Sequence, residues 1–163
     1  MSPRSDAYID GKWRSGAKRF PVFNPATQER VADVPDLGAA ETEEAVAAAH
    51  RAFPAWAAKS AKERAAIMRA WYDSMMADID RLAALITLEG GKPLAEAKGE
   101  AVYGASFIEW FGEEAKRAYG RSIPTTTPTR RYVTIKQPIG VCAAITPWNF
   151  PMASITRKAG PAL

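Results

Sequence analysis

One cysteine and one histidine in 163 residues remove two kinds of chemistry at the outset. Cys142 alone cannot close an internal disulfide, and with His50 it cannot assemble a Cys/His zinc set, so no metal site is expected. No apolar run is long enough to span a bilayer, and MSPRSDAYIDGKW lacks the apolar stretch of a secretory signal. A cytoplasmic location without membrane attachment is the resulting expectation. A concentrated basic face is missing too. The 22 Lys and Arg are interspersed with 18 Asp and Glu, and Arg130-Arg131 is about the densest basic pair. Nucleic-acid binding is driven by clustered phosphate contacts and is not expected from a net charge of +4. No internal repeat or low-complexity stretch appears. What remains is a chain of single-domain length, 47% hydrophobic and 25% charged, able to bury a core.

The N-terminal part reads as extended. In Tyr8-Ile9-Asp10-Gly11-Lys12-Trp13 an Asp-Gly pair lies between strand-favouring residues, the short-range signature of a hairpin. Val22-Phe23-Asn24-Pro25 ends this segment, because Pro25 lacks an amide donor and pushes Asn24 out of the helical region. From Gly38 to Gly120 the apolar period becomes helical. Glu41, Glu43 and Glu44 crowd a helix start and Pro54 marks its stop. Ser60-Ala61-Lys62-Glu63 is a capping box, followed by the stripe Ile67, Trp71, Met75 and Ile79. Gly90-Gly91 breaks the next run, and Pro93 can open a further helix whose stripe is Leu94, Ala97, Ala101, Ala105, Ile108, Phe111 and Ala115.

After the turn-rich segment 123–129, Val133 and Ile135 alternate with polar neighbours as in a half-buried strand. Ile139 to Ile145 is apolar on both faces and reads as a central strand of a covered parallel sheet. The loop from Thr146 to Pro151 follows, and Met152, Ile155, Ala159 and Leu163 then keep helical spacing. The fold class is therefore α/β: an N-terminal hairpin and helices, then the first strand, loop and helix of an incomplete sheet. Four parts are expected: an extended arm over 1–36, helices over 37–120, an extended segment over 121–138 and a strand-loop-helix over 139–163.

Chemistry is expected in the loop, since ligands of open α/β sheets bind beyond the carboxyl ends of the strands. Pro147 and Pro151 flank Trp148-Asn149-Phe150 and restrict the backbone, so the Asn149 amide would point in one direction. A preorganised amide is a good donor to an oxygen gaining negative charge, and an asparagine capping the following helix is the alternative. Arg157, with Lys158 after it, could meet a substrate carboxylate bidentately; read by itself, the pair is an ordinary solvated one. Cys142, inside the apolar strand with no basic neighbour, reads as a buried inert thiol, and His50 as an ordinary helix-face residue.

QPIGVCAAITPWNFP followed by ITRKAGPAL resembles the first nucleotide-binding strand and loop of the aldehyde dehydrogenase superfamily, whose cofactor domain is Rossmann-like. YIDGKW, NPAT, LEGGKPLAEAKGE and SFIEWFGEEAKRAYG are similar, in the same order, to segments of bacterial succinate-semialdehyde dehydrogenases, with glutarate-semialdehyde enzymes close to them. The resemblance implies NAD(P)-dependent oxidation of succinate semialdehyde to succinate, with NADP favoured over NAD. A cysteine thiolate attacks the aldehyde, hydride passes to the nicotinamide, and water activated by a glutamate releases the acid. It implies an oxyanion donor at Asn149, a cofactor cleft lined by Ile145, Thr146, Pro147, Trp148 and Asn149, and an aldehyde tunnel faced by Phe150. It also places a carboxylate-binding role on Arg157 and implies a homo-oligomer for the full-length enzyme, with 121–138 supplying oligomerisation strands. The nucleophilic cysteine and the general-base glutamate are not among these residues, and Cys142 matches a strand position. The chain therefore reads as roughly the N-terminal third of such an enzyme, inactive by itself, with a non-catalytic truncated or split subunit acting as an interaction module as the alternative.

Overall fold

The structure, a computed structural model, describes residues 4–163; the first three residues of the expected arm lie outside them. Among the described residues three antiparallel hairpins and five α-helices follow one another along the chain. β1 (Ala7–Ile9) pairs with β2 (Lys12–Arg14), with Ala7 opposite Arg14 and Ile9 opposite Lys12. The turn between them holds Asp10 and Gly11 at φ of 51° and 75°, the doubly positive conformation that matches the twist of a tight hairpin.

A second hairpin follows, beyond the one that the sequence pattern announces. β3 (Arg19–Phe23) pairs with β4 (Arg30–Pro35), and Asn24-Pro25 forms the connection between them rather than a simple end to the extended segment. The Asn24 side chain accepts from the amides of Ala26 (2.9 Å) and Thr27 (3.4 Å), a local turn that a short polar side chain can stabilise.

α1 (Ala39–Ala57) opens as its acidic first turn demands, with the Glu41 carboxylate accepting from the Gly38 amide at 2.9 Å. The expected stop at Pro54 is overturned, because the helix runs three residues further. Pro54 forfeits one backbone bond, but Ala58 still donates to its carbonyl at 3.1 Å, so the last turn closes. Arg51 to Asp10 at 3.0 Å, together with the Arg14–Glu44 pair, ties α1 to the first hairpin.

α2 (Ala61–Ala77) starts on the expected capping box, with Glu63 N donating to Ser60 Oγ at 3.3 Å and Ser60 N to the Glu63 carboxylate at 2.8 Å. Its buried face is Ala65, Met68 and Met75; of the expected stripe Met75 is buried and Trp71 packs against the same core, whereas Ile67 is exposed, and Ile79 packs inward from the next helix, α3 (Ile79–Gly90). The apolar stripe is wide enough to admit either face, and contact with the following helices selects Met68.

Gly91 ends α3 in the left-handed conformation at φ 72°, where a Cβ would also lie 2.7 Å from Pro25 Cγ. α4 (Leu94–Glu114) then runs through the middle of the molecule, packing against α2, α3 and the last helix, α5 (Ala153–Ala162). Ala97, Ala101, Ala105 and Ile108 are fully buried as expected, whereas Leu94 is exposed at the helix start. One core cluster joins Met68, Met75, Ala105 and Ile108; a second joins Ala83, Ile86, Ala97 and Ala101; Met152 packs against both.

Beyond a short 3₁₀ turn at Ala115–Arg117, β5 (Arg121–Ile123) pairs with β6 (Tyr132–Thr134) in a hairpin exposed along both strands. Val133 and Ile135 are therefore not half-buried. Ile139 to Ile145 forms no strand: Ile139 is 92% exposed and Ile145 90%. A β ladder exists only with a partner, and no described residue supplies one to this run. Cys142 is consequently exposed rather than buried. In α5 the buried positions are Ala153, Thr156 and Gly160, while Ile155 of the expected stripe faces outward. Among the described residues no helix is long and apolar enough to cross a membrane.

Candidate functional site

The α4–α5 crossing carries the loop at 146–151. Gly104 on α4 is the close approach: a Cβ there would lie 3.3 Å from Thr156 Oγ1 and 3.4 Å from Ala153 Cα and N. A glycine lets the two backbones approach to where even a Cβ would be tightly fitted. On either side of Gly104 the same face of α4 carries polar and aromatic side chains that reach the loop and α5.

Glu100 is the first of these, and its side chain is about 1% exposed. Its Oε1 accepts from the amides of Met152 (3.1 Å) and Ala153 (3.4 Å), which open α5 and have no partner within that helix. Its Oε2 is paired with the ammonium of Lys92, delivered by the short link between α3 and α4. That ammonium also donates to the carbonyl of Asn149 at 3.1 Å and lies 4.0 Å from the centre of the Phe150 ring. A cation shared between a carboxylate, a carbonyl and an aromatic face has each of its donors directed.

Among the sequence-predicted residues, Asn149 is exposed, and its side-chain amide makes no hydrogen bond with any described residue, so it does not cap α5. Glu100 holds the start of α5 instead. Trp148 is 86% exposed and Ile145 nearly as bare; Pro147 and Phe150 are also exposed, and only Thr146 is partly covered. Arg157, one helical stretch on, donates from Nη2 to the Tyr103 hydroxyl at 2.9 Å. Its guanidinium carbon lies 5.3 Å from the centre of the Phe107 ring and 5.9 Å from that of Tyr103. It is therefore not the freely solvated arginine that its sequence position alone indicates. A groove of about 230 Å³ between α4 and the loop is lined by Lys92, Glu96, Gly99, Glu100, Tyr103 and Phe150.

Lys92, Glu100 and Tyr103 escaped sequence reasoning. The signal was present for Glu100: a carboxylate between Ala97 and Ala101, on the face that the apolar stripe assigns to the interior. A second overlooked signal is charge distribution. No Asp or Glu follows Glu114, and all eight charged side chains after it are Lys or Arg. Among the described residues no three His, Cys, Asp or Glu side chains converge as a metal site would require.

Residues 13–163 match the aldehyde dehydrogenase family. Over 162 residues the chain is 60% identical to a glutarate-semialdehyde dehydrogenase of Pseudomonas aeruginosa, covering 98% of this chain and 34% of that protein. Over the same length and shares it is 58% identical to the NADP-dependent succinate-semialdehyde dehydrogenase of Escherichia coli. The solved structure of a succinate-semialdehyde dehydrogenase from Burkholderia pseudomallei superposes with a TM-score of 0.94 at 56% identity, covering 97% of this chain and 33% of that one. The chain thus spans about a third of the length of the curated relatives it matches, corresponding to their N-terminal portion. Matched by the family over residues 13–163 and superposing on a solved member over 97% of its length, the chain belongs to the aldehyde dehydrogenase family.

Proposed function

We propose that the protein carrying this segment is an NAD(P)-dependent dehydrogenase of dicarboxylate semialdehydes, and that these residues supply the oxyanion donor and the clamp for the far carboxylate. The observation that carries the proposal is the state of Asn149: its side-chain amide bonds to no described residue, while its backbone is held by Lys92 on its carbonyl and by prolines two residues to either side. A free donor on a fixed base costs little reorganisation when negative charge develops on the carbonyl oxygen under attack. Asn149 Nδ2 donates to that oxygen as a cysteine thiolate from the remainder of the enzyme adds to the aldehyde carbon, and Phe150 borders the path of the aldehyde.

Arg157 takes the distal carboxylate. Tyr103 and Phe107 use one donor and one face of its guanidinium, and its exposed remainder can accept a carboxylate in the bidentate geometry that guanidinium favours. Relatives named for glutarate and for succinate semialdehyde are similarly close, which supports a four- or five-carbon semialdehyde acid as the substrate class.

The residues present suit a dinucleotide: Ile145 and Trp148 offer bare apolar surface at the loop, and the carboxylate-free stretch after Glu114 opposes no phosphate. Ile145, Thr146, Pro147, Trp148 and Asn149 would line its cleft. When bound, the nicotinamide accepts the hydride that the oxidised carbon gives up. NADP is favoured, in line with the Escherichia coli relative. Placed in a complete aldehyde dehydrogenase, Asn149→Ala should lower kcat by about 10²- to 10³-fold, as loss of one oxyanion donor does. Stopped-flow turnover of succinic semialdehyde measures this, and near-normal kcat would refute the assigned role.

A further inference from the structure

A carboxylate fully buried on an otherwise apolar helix face demands an explanation, because a charge there is costly unless it is paired and its lone pairs are used. Glu100 is satisfied, but by more than a helix start needs. One oxygen suffices to accept from Met152 and Ala153. The second oxygen holds Lys92, and Lys92 reaches past the helix to the carbonyl of Asn149 and the ring of Phe150. Capping α5 gives no reason for those two contacts.

We infer that Lys92 and Glu100 are positioning residues that aim the Asn149 side chain, a conclusion that rests on the oxyanion reading of Asn149 above. The carbonyl held by Lys92 is that of Asn149 itself, so the peptide plane leaving Asn149 is fixed by a charge-assisted bond, and with it the position of the Asn149 Cα that carries the side chain. Glu100 fixes where that bond originates: it anchors the ammonium on one oxygen and the first amides of α5 on the other, so loop and helix share one reference point on α4. Two prolines limit the remaining freedom of the loop. Loss of the clamp would leave Asn149 in place in the chain but misaimed, and a misplacement of about 1 Å costs on the order of 100-fold in rate.

The test is made in a complete aldehyde dehydrogenase carrying this segment, with succinic semialdehyde and NADP as probes. Lys92→Met, which keeps an apolar stem of similar length, should lower kcat about 10- to 100-fold while KM changes less than about threefold. In an Asn149→Ala background the same substitution should cost less than about threefold more, because residues that act through one another are not additive. Glu100→Gln keeps an oxygen for the two amides but removes the charge that holds Lys92; it should show the same pattern and serves as the test where Lys92→Met does not fold. Equal losses with and without Asn149 would overturn the inference and make the pair merely structural. If Asn149→Ala is damaging and Lys92→Met is harmless, the positioning role alone fails. If Asn149→Ala leaves kcat at the wild-type level, the oxyanion reading fails and this inference with it.

Discussion

Replacing Arg157 should change which aldehydes are preferred more than how fast the chemistry runs. Its guanidinium is held by a charge-assisted hydrogen bond of 2.9 Å to the Tyr103 hydroxyl and by the Phe107 and Tyr103 rings, all from α4, so the side chain is oriented before any ligand arrives. Most of the entropy of fixing a long side chain has then already been lost in folding, and a carboxylate meets a prepared partner. A charge-assisted hydrogen bond contributes about 1.5–3 kcal/mol, which at about 1.4 kcal/mol per decade is roughly 10- to 150-fold. Arg157→Ala in a complete enzyme should reduce kcat/KM for succinic semialdehyde by that factor and leave butanal, which lacks the carboxylate, within about threefold of wild type. Tyr103→Phe keeps the ring and removes the hydroxyl that orients the guanidinium; it should cost less than Arg157→Ala, because the cation itself remains, and the loss should again be confined to the acidic substrate. The measurement is initial-rate kinetics on both aldehydes with each variant. Equal losses on succinic semialdehyde and butanal would refute the reasoning and assign Arg157 to the integrity of the α4–α5 crossing.

Two further outcomes concern the scaffold. Met68 is 1% exposed at the contact of α2 with α4, so Met68→Ala should lower the stability of the chain by about 2–5 kcal/mol, read as an earlier urea midpoint; a change below about 1 kcal/mol would mean that the cluster collapses around the gap. Glu63 titrates below the usual carboxylate range because the Ser60 hydroxyl, and then the Ser60 amide, hydrogen-bond to its charged form. Its folded value lies under the unfolded one, so its contribution is complete above about pH 4.3 and is lost as the pH falls through the lower, folded value. A Glu63→Gln chain should accordingly show a weaker loss of stability on acidification below about pH 4.5 than the parent, measured by urea unfolding at stepped pH; parallel losses would contradict this.

Much of the local structure was legible because its causes are local. Asp10-Gly11 needs positive φ and forms a hairpin; Ser60 and Glu63 satisfy one another's amides; Gly91 ends a helix in a conformation that suits glycine. Asn24 also forms a local turn, but Pro25 drew attention to a break in the chain rather than to the connection it serves, so the β3–β4 hairpin was missed. Pro54 misled for a related reason: one lost backbone bond is a small penalty, and the last turn of α1 closes around it.

Non-local structure was legible only where a residue's type ran against its position. The stripe on α4 announced a buried helix, but which helices would cover it, and therefore whether Ile67 or Met68 would be interior, depended on contacts across the fold. Ile139 to Ile145 shows the converse. Its composition specifies a strand buried on both faces, yet a strand is a relation between segments, and none of the described residues pairs with it. By itself the sequence determined the family, the hairpin turn and the helix starts, and it singled out Pro147-Trp148-Asn149-Phe150-Pro151 as the cluster on which the proposed chemistry rests. Only the tertiary structure decided that Lys92 and Glu100, far from that cluster in sequence, hold it in place, and that Tyr103 and Phe107 orient Arg157. The physical reason is range: capping and turn geometry act over a few residues, whereas a buried carboxylate finds its partners wherever folding brings them.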